Sequence, residues 1–210
     1  MLFNVEKYTD KSIVKAYIKY FIVFAIFVVV GNVFACLVEE DTLPHLFNTI
    51  SVHFEIPFYH RSGMLSILRE ILKISLLDIV SVVIVFIFSF SFFNSFVTFL
   101  VLIYNGLKTG ASFFLCFKCR ELLNGIPNMA SVITYLIFSL IINAVLIIYS
   151  YHSSKYSRRL IECYKNNLSE RIGDFPNRGV SYAVFSLAVI SLIVIVNAIY
   201  CLSIYLIKKG

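Results

Sequence analysis

Cys116 and Cys119, in "LCFKCRE", have the C-x-x-C spacing of a redox dithiol and of half a tetrahedral zinc site. A zinc site needs a second ligand pair, and none follows nearby. A thioredoxin-type dithiol needs a soluble βαβ unit, for which a chain this apolar has no room. The pair is therefore read as thiols in an apolar setting. His45, His53 and His60 with Glu55 are metal-capable side chains, but their spacing fits no ligand pattern, and they read as solvated or interfacial histidines. The chain contains no P-loop, no G-x-S-x-G, no H-E-x-x-H and no paired-carboxylate constellation. No catalytic, cofactor-binding or metal-ligating residue is assigned, so a protein that is not an enzyme and has no cofactor is expected.

The residue that demands an explanation is Lys108, in "LIYNGLKTGASFFLC", where an ammonium stands among hydrocarbon side chains. A charge at bilayer depth is expensive, so such a residue is paired, snorkelled to the interface or functional. Its partner depends on where the membrane lies. The 210 residues are 60% hydrophobic and 14% charged, with a mean hydropathy of +0.88, which excludes a soluble globular domain. The net charge of +6 then reflects topology and lipid contact, with no nucleic-acid partner implied. Trp is absent, so any interfacial aromatic belt is built from Tyr and Phe. The abundance of Ile, Phe, Tyr, Asn and Lys is the bias of an AT-rich bacterium, and a multi-pass protein of the bacterial plasma membrane is expected.

An apolar run over about 18–38 reads as a retained first span rather than a cleaved leader. The run Ile74 to Tyr104 would be ~46 Å long as one helix against a ~30 Å hydrocarbon core. Splitting it near "SFFNS" gives spans at about 74–92 and 96–117, followed by 129–150 and 181–207. The split also places the basic N-terminus (Lys7, Lys11, Lys15, Lys19) and the basic 151–178 segment on one side, as the positive-inside rule requires. The expected fold is a single all-α integral membrane domain of five transmembrane helices, N-terminus cytoplasmic and C-terminus outside. It has an outer loop over 39–73 and a basic cytoplasmic loop over 151–178. Lys208 and Lys209 fall outside and mildly oppose this scheme.

On this layout Lys108 lies in the outward half of the third span, ~14 Å from its end. Asp78, near the outer end of the second span, is within reach across the antiparallel hairpin. Asn32 and Asn197 occupy the same outer half, giving an intramembrane polar cluster of Asn32, Asp78, Lys108 and Asn197. The alternative for Lys108 is a bent helix or water-filled crevice at "NGLKTG". Gly106 and Gly110 have the G-x-x-x-G spacing, and Gly31 with Ala35 makes a second small-residue pair, serving either internal packing or dimerisation. Lys155, Arg158, Arg159 and Lys165, interleaved with apolar residues at helical spacing, read as a juxtamembrane helix on the anionic leaflet or, alternatively, as a partner-docking surface.

Length, five-span layout and local text together resemble the stage II sporulation protein M family of bacterial membrane proteins. The matching stretches are the split second and third spans followed by "NGLKTGASFFLC", then "SKYSRRLIE", then "VNAIY" in the last span. The family pattern favours a Gly-Pro turn where this chain has "SFFNS" and an acidic residue at the position of Asn197. The resemblance implies a non-enzymatic scaffold or component of a multiprotein membrane complex, which in sporulating species remodels peptidoglycan during engulfment. Its partners would be the lipid bilayer and other membrane proteins. The competing reading is a permease-like transporter subunit working with a separate ATPase.

Overall fold

A computed structural model describes residues 10–38, 64–122, 129–165 and 175–209. Each helix carries a stretch long and apolar enough to cross a membrane. These helices are α1 (Asp10–Cys36), α2 (Met64–Phe88), α3 (Asn94–Leu122), α4 (Met129–Lys165) and α5 (Phe175–Lys209). With no water in the bilayer core to satisfy backbone N–H and C=O groups, a helix is the form such segments must take. The chain is a polytopic membrane protein in contact with lipid, with helix as its regular structure among the described residues.

The long apolar run breaks at residues 89–93, and serines rather than a Gly-Pro pair make the break. Ser89 Oγ donates to the carbonyl of Phe86 at 2.6 Å, and Ser91 Oγ accepts from the amide of Phe93 at 3.2 Å. The amide of Asn94 donates to the Ser91 carbonyl at 3.3 Å. Short polar side chains thus replace the backbone partners that a continuous helix would have supplied.

Several helix boundaries differ from those read in the sequence. α1 starts at Asp10, α2 ends at Phe88, α3 runs to Leu122, and α5 starts at Phe175 inside the stretch assigned to the basic loop. The two largest shifts are at the start of α2 and the end of α4. α2 starts at Met64, inside the stretch assigned to the outer loop, and α4 does not end at Ser150 but runs unbroken to Lys165. The basic residues Lys155, Arg158 and Arg159 therefore sit on a continuation of a spanning helix, not on a separate helix along the leaflet. The reason is local: Ser153 Oγ donates to Asn94 Oδ1 at 3.2 Å, and Ser157 Oγ donates to the Ser91 carbonyl at 3.0 Å. The α2–α3 turn is docked against this extension and holds it in line. At 37 residues α4 is ~55 Å long, well beyond a ~30 Å core.

Helices α2 to α5 form the central bundle, around Val82, Val85, Val101, Ile142, Leu146, Tyr149, Tyr182 and Ile193. Helix α1 lies outside it, against α3 and α4. The α1–α3 contact is where the small residues fall. A Cβ on Gly106 would meet the Phe24 carbonyl oxygen at 2.8 Å, one on Gly110 would overlap the Val28 carbonyl, and one on Gly31 would overlap that of Leu107. Ala35 packs with Leu115 further along. Because rising numbers on α1 meet rising numbers on α3, the two helices run parallel. Backbones this close gain van der Waals contact where lipid supplies no hydrophobic drive.

Candidate polar site in the helix bundle

Each of the four central helices carries polar side chains at helical spacing on its inner face. On α2 these are Ser75, Asp78 and Ser81; on α3, Asn94, Thr98, Asn105, Thr109 and Ser112; on α4, Ser131, Asn143, Ser153 and Ser157; on α5, Ser186 and Asn197; all are buried. Steps of three and four residues stack side chains along one helix face, which makes rows of Ser75, Asp78 and Ser81 on α2 and of Asn105, Thr109 and Ser112 on α3, while α4 and α5 contribute more widely spaced polar residues.

Lys108 Nζ stands 3.2 Å from Asp78 Oδ1, and the two side chains retain only 23% and 9% of their exposure. The pair ties α2 to α3. Around it lies a cavity of about 30 Å³, room for about two waters, lined by Asp78, Asn105, Lys108, Thr109, Asn143 and Asn197 among others. Ile74, Tyr135, Phe138 and Tyr200 add apolar and aromatic surface to its wall.

The three asparagines of the wall are each fastened by their amide nitrogen. Asn105 Nδ2 donates to Ser81 Oγ at 3.3 Å and to the Val101 carbonyl at 2.9 Å. Asn143 Nδ2 donates to Thr109 Oγ1 at 3.0 Å and to the Ser139 carbonyl at 2.8 Å. Asn197 Nδ2 donates to Ser75 Oγ at 3.1 Å, and Ser75 in turn donates to the Ile71 carbonyl at 2.8 Å. These bonds join α2 to α3, α3 to α4 and α5 to α2. A polar group left unpaired in hydrocarbon costs several kcal/mol, so each bond also penalises separation of the helices.

Of the residues singled out in the sequence, Asp78, Lys108 and Asn197 come together here. Asn32 does not: it lies on α1 beside Gly110, where its side-chain oxygen faces the Cys36 thiol at 4.0 Å, and it is no part of the cavity wall. Asn105, Thr109, Ser139 and Asn143 were overlooked in the sequence. The signal was the run Asn105, Thr109, Ser112, Cys116, which places four small or polar residues on the face that also bears Lys108. Cys116 is buried with Cys201 in a cluster with Tyr135, Tyr200 and Ile204. His45, His53, Glu55 and His60 lie outside the described residues, as does the Cys119 side chain. Arg158 and Arg159 are exposed, Lys155 is half-buried, and the Lys165 side chain is outside the description.

At the other end of the bundle the aromatic residues turn inward. Tyr182 stacks on Tyr156 at 4.4 Å between ring centres, and on Phe86 at 5.6 Å. Its hydroxyl donates to Tyr149 Oη at 3.2 Å, and Tyr149 shares a 2.9 Å hydrogen bond with Ser186. Tyr17 of α1 joins this end through the Tyr151 ring at 4.3 Å and His152 Nε2 at 3.3 Å. The start of α1 and the extension of α4 therefore occupy the same end.

No family model, curated protein or solved structure matches the chain.

Proposed function

We propose that the protein is a non-enzymatic scaffold or component of a multiprotein complex in a bacterial plasma membrane, of the kind the stage II sporulation protein M resemblance implies. In a sporulating host that complex would be the one that remodels peptidoglycan during engulfment. The observation that carries the reading is the cross-bonded interior: polar side chains hydrogen-bonded across α2, α3, α4 and α5 around a cavity of only about 30 Å³, with α1 packed onto α3 through glycines. Such a bundle presents a fixed surface to partners. The basic end formed by the start of α1 and the extension of α4 is cytoplasmic in this reading, and the far end of α5 is outside. The shared end of Tyr17 and Tyr151 supports that orientation, because it puts Lys15, Lys19, Arg158 and Arg159 on one side.

The permease-like reading is favoured by one feature, the ion pair beside a polar cavity between four helices, since intramembrane ionisable groups commonly mark substrate or ion paths. Purification of a tagged chain in mild detergent, followed by identification of co-purifying proteins, separates the two. Integral membrane partners in stoichiometric amount support the scaffold. A soluble ATPase as the recurrent partner, with Asn143→Cys open to a membrane-impermeant thiol reagent, overturns it in favour of the permease.

A further inference from the structure

We propose that the cavity between α2, α3, α4 and α5 is a binding site for a monovalent alkali cation, with the Lys108 ammonium as its tethered competitor. This goes beyond the scaffold reading and does not depend on it. The donor set is the first ground. Asn105, Asn143 and Asn197 line the cavity; Asn105 Nδ2 is spent on Ser81 and the Val101 carbonyl, Asn143 Nδ2 on Thr109 and Ser139, and Asn197 Nδ2 places one of its two hydrogens on Ser75. What Asn105 and Asn143 have left to offer a ligand is oxygen, and Asn197 adds its own amide oxygen. With the Asp78 carboxylate and the Ser139 hydroxyl, the wall is built to receive positive charge.

The second ground is that the site already holds a cation, the Lys108 ammonium 3.2 Å from Asp78 Oδ1. A small ion entering beside the carboxylate competes for the same charge. Lys108 has a way out, because its side chain is 23% exposed and its four-carbon stem lets the ammonium move toward the bundle end with its proton. Asp78 then exchanges one positive partner for another.

Charge and size set the ligand class. One carboxylate neutralises one positive charge; calcium and magnesium sites bring several charged or water ligands, and a divalent ion here would leave excess charge in hydrocarbon. Among the described residues no group of His, Cys, Asp or Glu suits a transition metal. A cavity of about 30 Å³ admits an ion of about the size of a water together with a water, and no bulky organic cation. Occupancy would replace the Lys108–Asp78 link between α2 and α3 by a cation held by groups of α2, α3, α4 and α5, with the Asn105–Ser81 bond left in place.

The test is thermal unfolding of the full chain in nanodiscs, titrated with NaCl, KCl or choline chloride at fixed ionic strength. Na⁺ or K⁺ should stabilise the wild type where choline does not, and the ion acting at the lower concentration is the one the site selects. Lys108→Met removes the competitor, so the midpoint should fall by about 10- to 100-fold, as expected when the binding-competent fraction rises from a few per cent to one. Asp78→Asn should abolish the response. Asn197→Leu, which keeps side-chain volume and leaves Ser75 bonded to Ile71, should raise the midpoint severalfold. Equal effects of choline and alkali ions in both wild type and Lys108→Met overturn the proposal, as does an alkali response that survives Asp78→Asn. If Asp78→Asn does not accumulate, an unchanged midpoint in Asn197→Leu overturns it.

Discussion

Removing either member of the Lys108–Asp78 pair should destabilise the bundle, and removing both should not double the damage. At 3.2 Å, two unit charges attract by ~5 kcal/mol at an effective dielectric constant of ~20. Desolvation offsets much of that, and the partial exposure of Lys108 reduces it further. Breaking a buried pair strands the remaining charge, so Lys108→Met and Asp78→Leu should each cost about 2–3 kcal/mol. The double variant replaces the pair by apolar side chains and should lose only about 1–2 kcal/mol, a coupling of roughly 3 kcal/mol. Equilibrium unfolding in mixed micelles, with folded abundance as a second readout, measures all four corners of the cycle. Additivity within about 0.5 kcal/mol would show that the two charges do not sense each other, and would refute the reasoning. The measurement belongs in choline salts, so that no alkali ion takes the place of Lys108.

Gly110→Ala should force α1 off α3 and cost about 1–3 kcal/mol, because its Cβ overlaps the Val28 carbonyl; Gly179→Ala, whose nearest neighbour is Tyr156 Oη at 3.7 Å, should be neutral or better. Limited proteolysis of the α1 connection reports the difference. Ser157→Ala removes a hydrogen bond to the α2–α3 turn and should cost about 1 kcal/mol and loosen the α4 extension, visible as faster amide exchange over 151–165. A reporter active only in the cytoplasm should work when fused after Lys165 and fail near Asn124 or at the C-terminus; activity at the C-terminus would sink the proposed orientation. Replacing Arg158, Arg159 and Lys165 with Glu should disturb that orientation, and unchanged topology and abundance would mark the segment as a partner-docking surface.

What could be read from the sequence followed from constraints that act along the chain. The run 74–104 had to divide because apolar side chains along that whole length would overshoot the hydrocarbon core, whereas the overhang of α4 is polar. The serines at 89 and 91 supply the bonds that let the run turn. Lys108 and Asp78 could be matched on paper because a hairpin brings them to one depth. Asn105, Thr109 and Asn143 could not be matched in that way. A neutral polar residue in a span bonds as readily to its own helix as to a neighbour, and Asn143 does both, reaching the Ser139 carbonyl and Thr109. The helix rotation that decides between these outcomes is set by packing. The end of α4 was misplaced for a related reason. Charge at Lys155 to Arg159 marks where hydrocarbon gives way to the interface, whereas the helix ends where its docking partners end.

The five helices are held by two different means. Lipid tails are as apolar as Leu or Val, so burying hydrocarbon brings helices together in a membrane only weakly, and association rests on close backbone contact and on polar bonds. Helices α2 to α5 use the polar bonds, with Asn105 to Ser81, Asn143 to Thr109 and Asn197 to Ser75 crossing between them. Helix α1 uses close contact, with Gly31, Gly106 and Gly110 admitting neighbouring carbonyls and Tyr17 reaching His152 at one end. These differ in how they fail. Pulling the polar helices apart leaves donors and acceptors bare in hydrocarbon, a penalty of several kcal/mol per group. Within the span, sliding α1 away loses mainly dispersion contacts, which lipid chains largely restore. The Tyr17–His152 bond and the Lys19 ammonium over the Phe99 ring lie at its interfacial end, where water can replace them. Helix α1 is therefore the element most easily displaced, and the face of α3 around Gly106 and Gly110 that it covers is the surface a partner helix would have to compete for.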